Sequence, residues 1–146
     1  TFIIADTAEE AVRNSDIIDC VTLATEPFVK GEWLKKGALL MNMSDFEADY
    51  ESVNRADKVV VDFWENIKHR MISTVALMWR DGLFKDEQIH AELGDILLGT
   101  KSPRENDDEI IYFNAVGAGI LDIAVAARCY KTAKEEGFGI CLPFWE

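Results

Sequence analysis

Two stretches of the sequence carry residue types and spacings that could do chemistry. The first is "FNAVGAGILD", in which Gly117 and Gly119 fall between a strand-like run and a helix-like run. In dinucleotide-binding folds, a G-x-G-x-x-G at such a place holds a pyrophosphate against a helix N-terminus. Here Asp122 occupies the third glycine position and only a helical pattern follows. The sequence therefore favours a strand-to-helix turn over a phosphate site.

The second stretch, "MSDFE", contains two carboxylates, Asp45 and Glu47, directly after the apolar run "ALLMN". If that run is a buried strand, Asp45 lies at the end of the strand, where open α/β sheets bind their ligands. A carboxylate at such an edge can serve as a general acid or base. An aspartate after a strand can equally form a turn or cap a helix, and spacing alone leaves both alternatives open.

The remaining candidates predict no metal site and no disulfide framework. His69 and His90 fall on separate predicted helices without the spacing of a metal-binding pair. Cys20, Cys129 and Cys141 stand far apart in apolar runs without a C-x-x-C. This pattern is typical of reduced thiols in a cytoplasmic protein.

The charge balance excludes two classes of partner. The chain has 15 Lys and Arg against 27 Asp and Glu, a formal net charge of −12. Such a charge repels nucleic acids and anionic membrane surfaces. No apolar run reaches the roughly 18 residues of a membrane helix, so we expect a cytoplasmic protein. Because Thr1 leads directly into the strand-like "FIIAD", we expect the 146 residues to be part of a longer chain.

Alternating apolar runs and amphipathic segments predict the elements that would position these residues. Five runs predict strands, at 2–5, 16–25, 38–44, 57–62 and 109–113. Helical patterns fall at 6–15, 65–80, 86–98 and 120–137. Continuous apolar strands separated by helices indicate parallel pairing and burial on both faces. The predicted class is α/β, a Rossmann-like three-layer parallel sheet.

Six blocks of sequence, in order, resemble the carboxyl-terminal half of the ornithine cyclodeaminase/mu-crystallin family. They are "TAEEAVRNSDII", "ATEPFVKGEWLKKGALL", "RADKVVVD", "HAELGDILLG", "SPRENDDEIIYFNAVGAGILDIAVAARCY" and "AKEEGFG". The branch most similar to this chain includes a dehydrogenase of the 2,3-diaminopropionate pathway. The resemblance implies that residues 1–146 are a partial NAD(P)-binding Rossmann-like domain, with the sheet and crossover helices in 1–113 and a C-terminal helix and tail in 114–146.

The resemblance also implies chemistry. Family members remove hydride from the carbon that bears the amino group of a small amino-acid substrate, which gives an imine beside reduced NAD or NADP. Cyclodeaminases then lose ammonia and return the hydride, whereas dehydrogenase members release product. The resemblance further implies a homodimer of the full-length parent.

Site residues follow from the same resemblance. Proton transfer falls to Asp45, with Glu47 as the alternative because the family's V-G-x-D loop has lost its glycine here. Val116 matches a position that touches substrate. Cofactor contacts fall on five residues, with only a main-chain contact left where alanine replaces the family's serine: Thr22, Met43, Ser44, Asp45 and Ala115.

In the family layout, the G-x-G-x-x-G and the cationic residues that clamp the substrate carboxylate lie upstream of Thr1. We therefore expect the isolated chain to be inactive and its longer parent to be an enzyme. Two alternatives remain. One is a mu-crystallin-like protein that binds NADP and a small ligand without turnover, and the other is a stand-alone interaction module.

Overall fold

A computed structural model describes residues 1–143 of the chain. It divides into two units, Thr1–Val116 and Gly117–Glu146. The first unit contains a five-stranded sheet of β1 (Ile17–Cys20), β2 (Leu39–Asn42), β3 (Lys58–Val61), β4 (Ile89–Glu92) and β5 (Ile111–Asn114). Every pairing is parallel and the strand order is β1-β2-β5-β3-β4. This confirms the α/β, Rossmann-like prediction.

The first unit also contains five short α-helices, one before β1 and four in the connections between later strands. They are α1 (Ala8–Arg13), α2 (Tyr50–Asn54), α3 (Trp64–Arg70), α4 (Thr74–Arg80) and α5 (Leu93–Leu97). Side-chain caps fix where two of them begin, since each cap accepts a main-chain N–H that the first helical turn leaves free. Thr7 accepts from the Glu10 amide at 3.1 Å, and Asp49 accepts from the Ser52 amide at 2.9 Å.

The hydrophobic core lies on one face of this sheet. Leu40, Val59, Val61 and Tyr112 point to that face, and each has at most 5% of its surface exposed. Apolar side chains of α3 and α4 cover them, among them the fully buried Ile67. On the opposite face, an open apolar groove is lined by strand residues and by α5: Leu39, Val60, Leu93, Ile96, Pro103, Ile111 and Phe113.

Three predicted elements were wrong. The run 2–5 is not a strand: Phe2, Ile3 and Ile4 are at least 87% exposed, and no strand in residues 1–143 pairs with them. An apolar run is not sufficient to form a β-strand, because a strand also needs a neighbouring strand that pairs with it through hydrogen bonds.

The predicted helix 65–80 is two helices, because Met71 takes a left-handed conformation (φ 54°) that ends α3. The predicted helix 86–98 contains a 3₁₀ turn, strand β4 and the short helix α5. In that segment, pairing with β3 prevails over an apolar spacing that suited a helix.

The second unit consists mainly of α6 (Gly119–Glu136), which ends at Gly137 with a positive φ of 73°. Gly117 has a φ of +85°, just before α6 begins. The Gly-x-Gly stretch is therefore the predicted turn into a helix. Among the described residues, no helix is both long and apolar enough to cross a membrane.

Replacing Gly31 by Ala is expected to destabilise the fold by about 1–3 kcal/mol, the usual cost of overpacking. A Cβ at Gly31 would lie 2.5 Å from the main-chain carbon of Glu51 and 2.6 Å from the amide nitrogen of Ser52. Urea unfolding measures the change. Gly94→Ala is the matched control, because a Cβ there meets nothing within 4 Å and alanine favours the helix. Equal stability of the two variants would contradict the prediction.

Candidate functional site

Three neighbouring strands end at one edge of the sheet, and the residues that follow them form the candidate site. β1, β2 and β5 are adjacent, and neighbouring strands lie about 4.8 Å apart. The structure therefore brings together the residues after β1, after β2 and after β5: Thr22, Met43, Ser44, Asp45, Ala115 and Val116. These are the residues that the sequence had nominated, and their individual roles stay predictions.

Asp45 is half-buried at this edge. The Ser44 hydroxyl donates to its Oδ1 at 3.2 Å, and Asn42 Nδ2 donates to its main-chain oxygen at 3.0 Å. The main chain of Asp45 is thus anchored to β2, while the residue as a whole is only partly enclosed. That combination is what a proton-transferring group needs, because it must be held in place and still reach a reactant.

Glu47 has a different environment, since its side chain is fully buried. One carboxylate oxygen accepts a hydrogen bond from the Thr22 amide, and the other accepts from Asn42 Nδ2 at 2.9 Å. Glu47 therefore joins the loop after β1 to the end of β2. Both oxygens are committed to the protein, so the geometry favours Asp45 over Glu47 as the group that meets a substrate.

Asn42 is the centre of a buried polar network beneath the site. Its Oδ1 accepts from the Tyr112 hydroxyl at 3.1 Å and lies 3.2 Å from the Thr74 hydroxyl. Burial raises the pKa of Tyr112, partly offset by its hydrogen-bonding neighbour Thr74, so the phenol stays protonated and donates. Both amide hydrogens of Asn42 are used, one toward the main chain of Asp45 and the other toward Glu47. The network rigidifies the floor of the site.

Val116 is held through its main chain by two charged side chains. Asp62, which follows β3, accepts from the Val116 amide at 3.0 Å through Oδ2. Arg70, the last residue of α3, donates from Nη1 to the Val116 carbonyl oxygen at 2.5 Å. Val116 itself is 8% exposed. The position that the resemblance assigns to substrate contact is thus fixed through both its amide and its carbonyl group.

Three of the five predicted cofactor positions have their main-chain amides engaged within the protein. The amide of Thr22 donates to Glu47, that of Met43 to the Cys20 oxygen, and that of Ala115 to the Asn42 oxygen. The Thr22 hydroxyl accepts from the Ala24 amide at 3.3 Å, which leaves its own proton available. The Thr22 hydroxyl can therefore donate to a polar ligand at this edge, such as the oxygen of a carboxamide.

Cys20, at the end of β1, is buried directly below this site. Burial raises the pKa of its thiol to about 12, and the negative charges of Glu47 and Asp19 add to the effect. The thiolate, which is the reactive form, is therefore scarce at neutral pH.

We expect Cys20 to resist iodoacetamide at pH 8 in the folded protein and to react once urea has unfolded the chain. Because the pKa returns to its ordinary value on unfolding, denaturation should raise the alkylation rate by more than about 10³-fold. Peptide mass spectrometry after timed alkylation measures the rate at this residue. Equal rates in the folded and unfolded states would show that the thiol is neither buried nor perturbed.

Comparison with known proteins decides the family. The sequence profile of the ornithine cyclodeaminase/mu-crystallin family matches residues 3–137. The chain belongs to this family. This confirms the family membership that the six sequence blocks predicted.

Relatives that are named for a reaction match nearly the whole length of this chain. N-((2S)-2-amino-2-carboxyethyl)-L-glutamate dehydrogenase of Staphylococcus aureus is 38% identical over 97% of this chain and 42% of its own length. A structure of Thermococcus litoralis Delta(1)-pyrroline-2-carboxylate reductase with NADH and L-proline is 35% identical, with a TM-score of 0.88 over 94% of this chain and 44% of its own. An archaeal alanine dehydrogenase dimer with bound NAD is 32% identical, with a TM-score of 0.86 over 96% and 44%. The chain thus spans less than half the length of each.

Four residues of the site escaped the sequence analysis: Asn42, Asp62, Arg70 and Tyr112. Asn42 carried a signal, since an amide inside the apolar run "ALLMN" must find partners when it is buried. Asp62 closes the run "KVVVD" in the same way that Asp45 follows β2, and the same rule could have nominated it. Arg70 and Tyr112 carried no such signal, because their partners lie 46 and 70 positions away along the chain.

Proposed function

We propose that these residues form the carboxyl-terminal half of an NAD-dependent amino-acid dehydrogenase. The parent enzyme transfers hydride at the carbon that bears the substrate's amino group and passes through an imine. Its substrate is N-((2S)-2-amino-2-carboxyethyl)-L-glutamate or a close analogue, the compound named for the Staphylococcus aureus relative.

The observation that carries this proposal is the half-buried Asp45 carboxylate at the shared edge of β1, β2 and β5. Relatives that span the same residues act on amino acids or on the cyclic imine of one, and two of them bind NAD or NADH. An oxidation of this type needs one group to take the proton from the substrate nitrogen. The anchored main chain of Asp45 and its half-buried position at this edge support the assignment of that role to Asp45.

The residues of this chain suit the nicotinamide end of the cofactor. When bound, NAD accepts or supplies the hydride. The Thr22 hydroxyl and nearby carbonyl oxygens would hold the carboxamide, and Met43, Ser44, Asp45 and Ala115 would line its place through their main chains. Val116 would support the substrate. Glu47 and Asn42 would hold the loop after β1 and the loop after β2 in fixed positions through the hydrogen bonds described above.

We further propose that the parent is a cytoplasmic homodimer. The archaeal alanine dehydrogenase is described as a dimer. All three cysteines are free, as is usual in a reducing compartment.

The proposal is tested by incubating the full-length protein with NAD and each of four compounds, while absorbance reports nicotinamide reduction. The compounds are N-((2S)-2-amino-2-carboxyethyl)-L-glutamate, L-alanine, L-proline and L-ornithine. We expect turnover with the first and at most weak turnover with the others. Absence of any cofactor-dependent change with all four would overturn the proposal. Cyclisation of ornithine with release of ammonia would instead assign the cyclodeaminase reaction.

A further inference from the structure

Arg70 occupies a position in the site that its structural role alone does not explain. It is the last residue of α3, and the left-handed Met71 ends the helix immediately after it. The side chain is exposed, and Nη1 donates to the Val116 carbonyl oxygen at 2.5 Å. A guanidinium carries five N–H donors in a rigid fork, so one hydrogen bond uses only a fraction of its capacity.

The unused N–H donors of Arg70 matter because the segments around it are acidic. The segments that follow the strands at the site, 21–26, 43–47, 62–63 and 115–116, contain four carboxylates and no Lys or Arg. Those four are Glu26, Asp45, Glu47 and Asp62. An anionic ligand would be repelled from such an edge unless a cation compensates. Arg70 reaches this edge from α3 and bonds directly to it.

The main chain of Val116 gives Arg70 a fixed orientation. Asp62 accepts from the Val116 amide at 3.0 Å through Oδ2, and its Oδ1 accepts from the Phe63 amide at 2.7 Å. The carbonyl oxygen of the same residue receives the Arg70 proton. Arg70 is therefore anchored beside the residue that supports the substrate. An anchored arginine loses less freedom when it binds a ligand than a mobile surface lysine does.

We propose that Arg70 is a specificity-determining residue, which binds a carboxylate on the side chain of the substrate. The proposal rests on the proposed function and narrows the substrates to amino acids whose side chain ends in a carboxylate. Arginine suits this role because its planar fork matches the two oxygens of a carboxylate. A substrate with a neutral side chain would form no ion pair with Arg70. It would also not be repelled by the acidic edge, so its binding would not depend on this arginine.

The test compares N-((2S)-2-amino-2-carboxyethyl)-L-glutamate with its glutamine counterpart, in which a carboxamide replaces only the side-chain carboxylate of the glutamate part. In the full-length enzyme, Arg70→Gln should lower kcat/KM for the acid by about 10- to 100-fold, mainly through KM, as expected for loss of a charged hydrogen bond. Turnover of the amide should change by less than about threefold. Arg70→Lys, which keeps the charge but loses the fork, should give an intermediate loss.

Arg80→Gln is the matched control, because Arg80 also ends a seven-residue helix and is exposed, but its side chain bonds to Asp81. It should leave both substrates unaffected. An equal loss on acid and amide in Arg70→Gln would overturn the proposal and leave Arg70 as a main-chain clamp only. No loss on either substrate would overturn it as well. If the wild-type enzyme turned over neither compound, the proposed function would be refuted instead. Calorimetry would then compare the affinities of the wild type and of Arg70→Gln for the two compounds, and a loss of affinity for the acid alone would still support the role of Arg70.

Discussion

Asp45→Asn in the full-length enzyme is expected to lower kcat by about 10²–10⁴, the usual contribution of a general acid or base. Asparagine is nearly isosteric and can still accept from the Ser44 hydroxyl, so the loop should keep its conformation. The variant loses only the ability to take up and release a proton. Steady-state rates, with NAD affinity measured separately, distinguish a catalytic loss from a binding loss.

Asp16→Asn serves as the control for this variant. Asp16 is just before β1 at the opposite edge of the sheet, where it pairs with Lys35 at 2.8 Å. Its replacement should leave turnover within about twofold of wild type, because exposed ion pairs contribute little. If Asp45→Asn also retained full activity, proton transfer would have to be assigned to another group, and Glu47 would be the first to examine.

Glu47→Leu is expected to destabilise the fold by about 1–3 kcal/mol, the usual cost of one unsatisfied buried group. The buried donor Asn42 Nδ2 would lose one of its two acceptors, and the more exposed Thr22 amide would lose its bond to the loop after β2. The loss should extend to cofactor affinity, because the Thr22 loop would no longer be tied to β2. Urea unfolding and NAD titration measure the two effects.

Glu47→Gln should fall between wild type and Glu47→Leu, since glutamine keeps one acceptor oxygen. Glu51→Leu is the matched control, because Glu51 is exposed on α2 and the same change there removes no buried acceptor. A change of less than 1 kcal/mol in Glu47→Leu would mean that water or a rearranged loop satisfies both donors. The buried network would then not be needed for stability.

The sequence predicted the sheet and the edge of the site because both depend on local patterns. Four of the five predicted strands overlap the strands β1, β2, β3 and β5, whose apolar runs are continuous. Asp45 could be nominated because it directly follows such a run. Strand β4 could not be predicted, since "IHAE" has little apolar character and pairs with β3 only in the folded protein.

The different environments of the site residues could not be predicted from local sequence patterns, because they depend on contacts that form only in the folded protein. Asp45 and Glu47 are nearly adjacent in sequence, yet one is half-buried and the other is fully enclosed. The difference depends on Asn42 and on the Thr22 amide, which is 25 positions away. The break at Met71 was hidden because the apolar spacing of α3 and α4 continues across it, although it determines where Arg70 lies.

The strand order has a consequence for how the protein forms during synthesis. β5, the last of the five described strands in chain order, is the one that joins β2 to β3 in the middle of the sheet. Until Asn114 has been made, β1 and β2 form one two-stranded piece and β3 and β4 another, and such pieces are marginal on their own in water. This part of the sheet can therefore close only after β5 has been synthesised, and the unjoined pieces are the stage most exposed to aggregation.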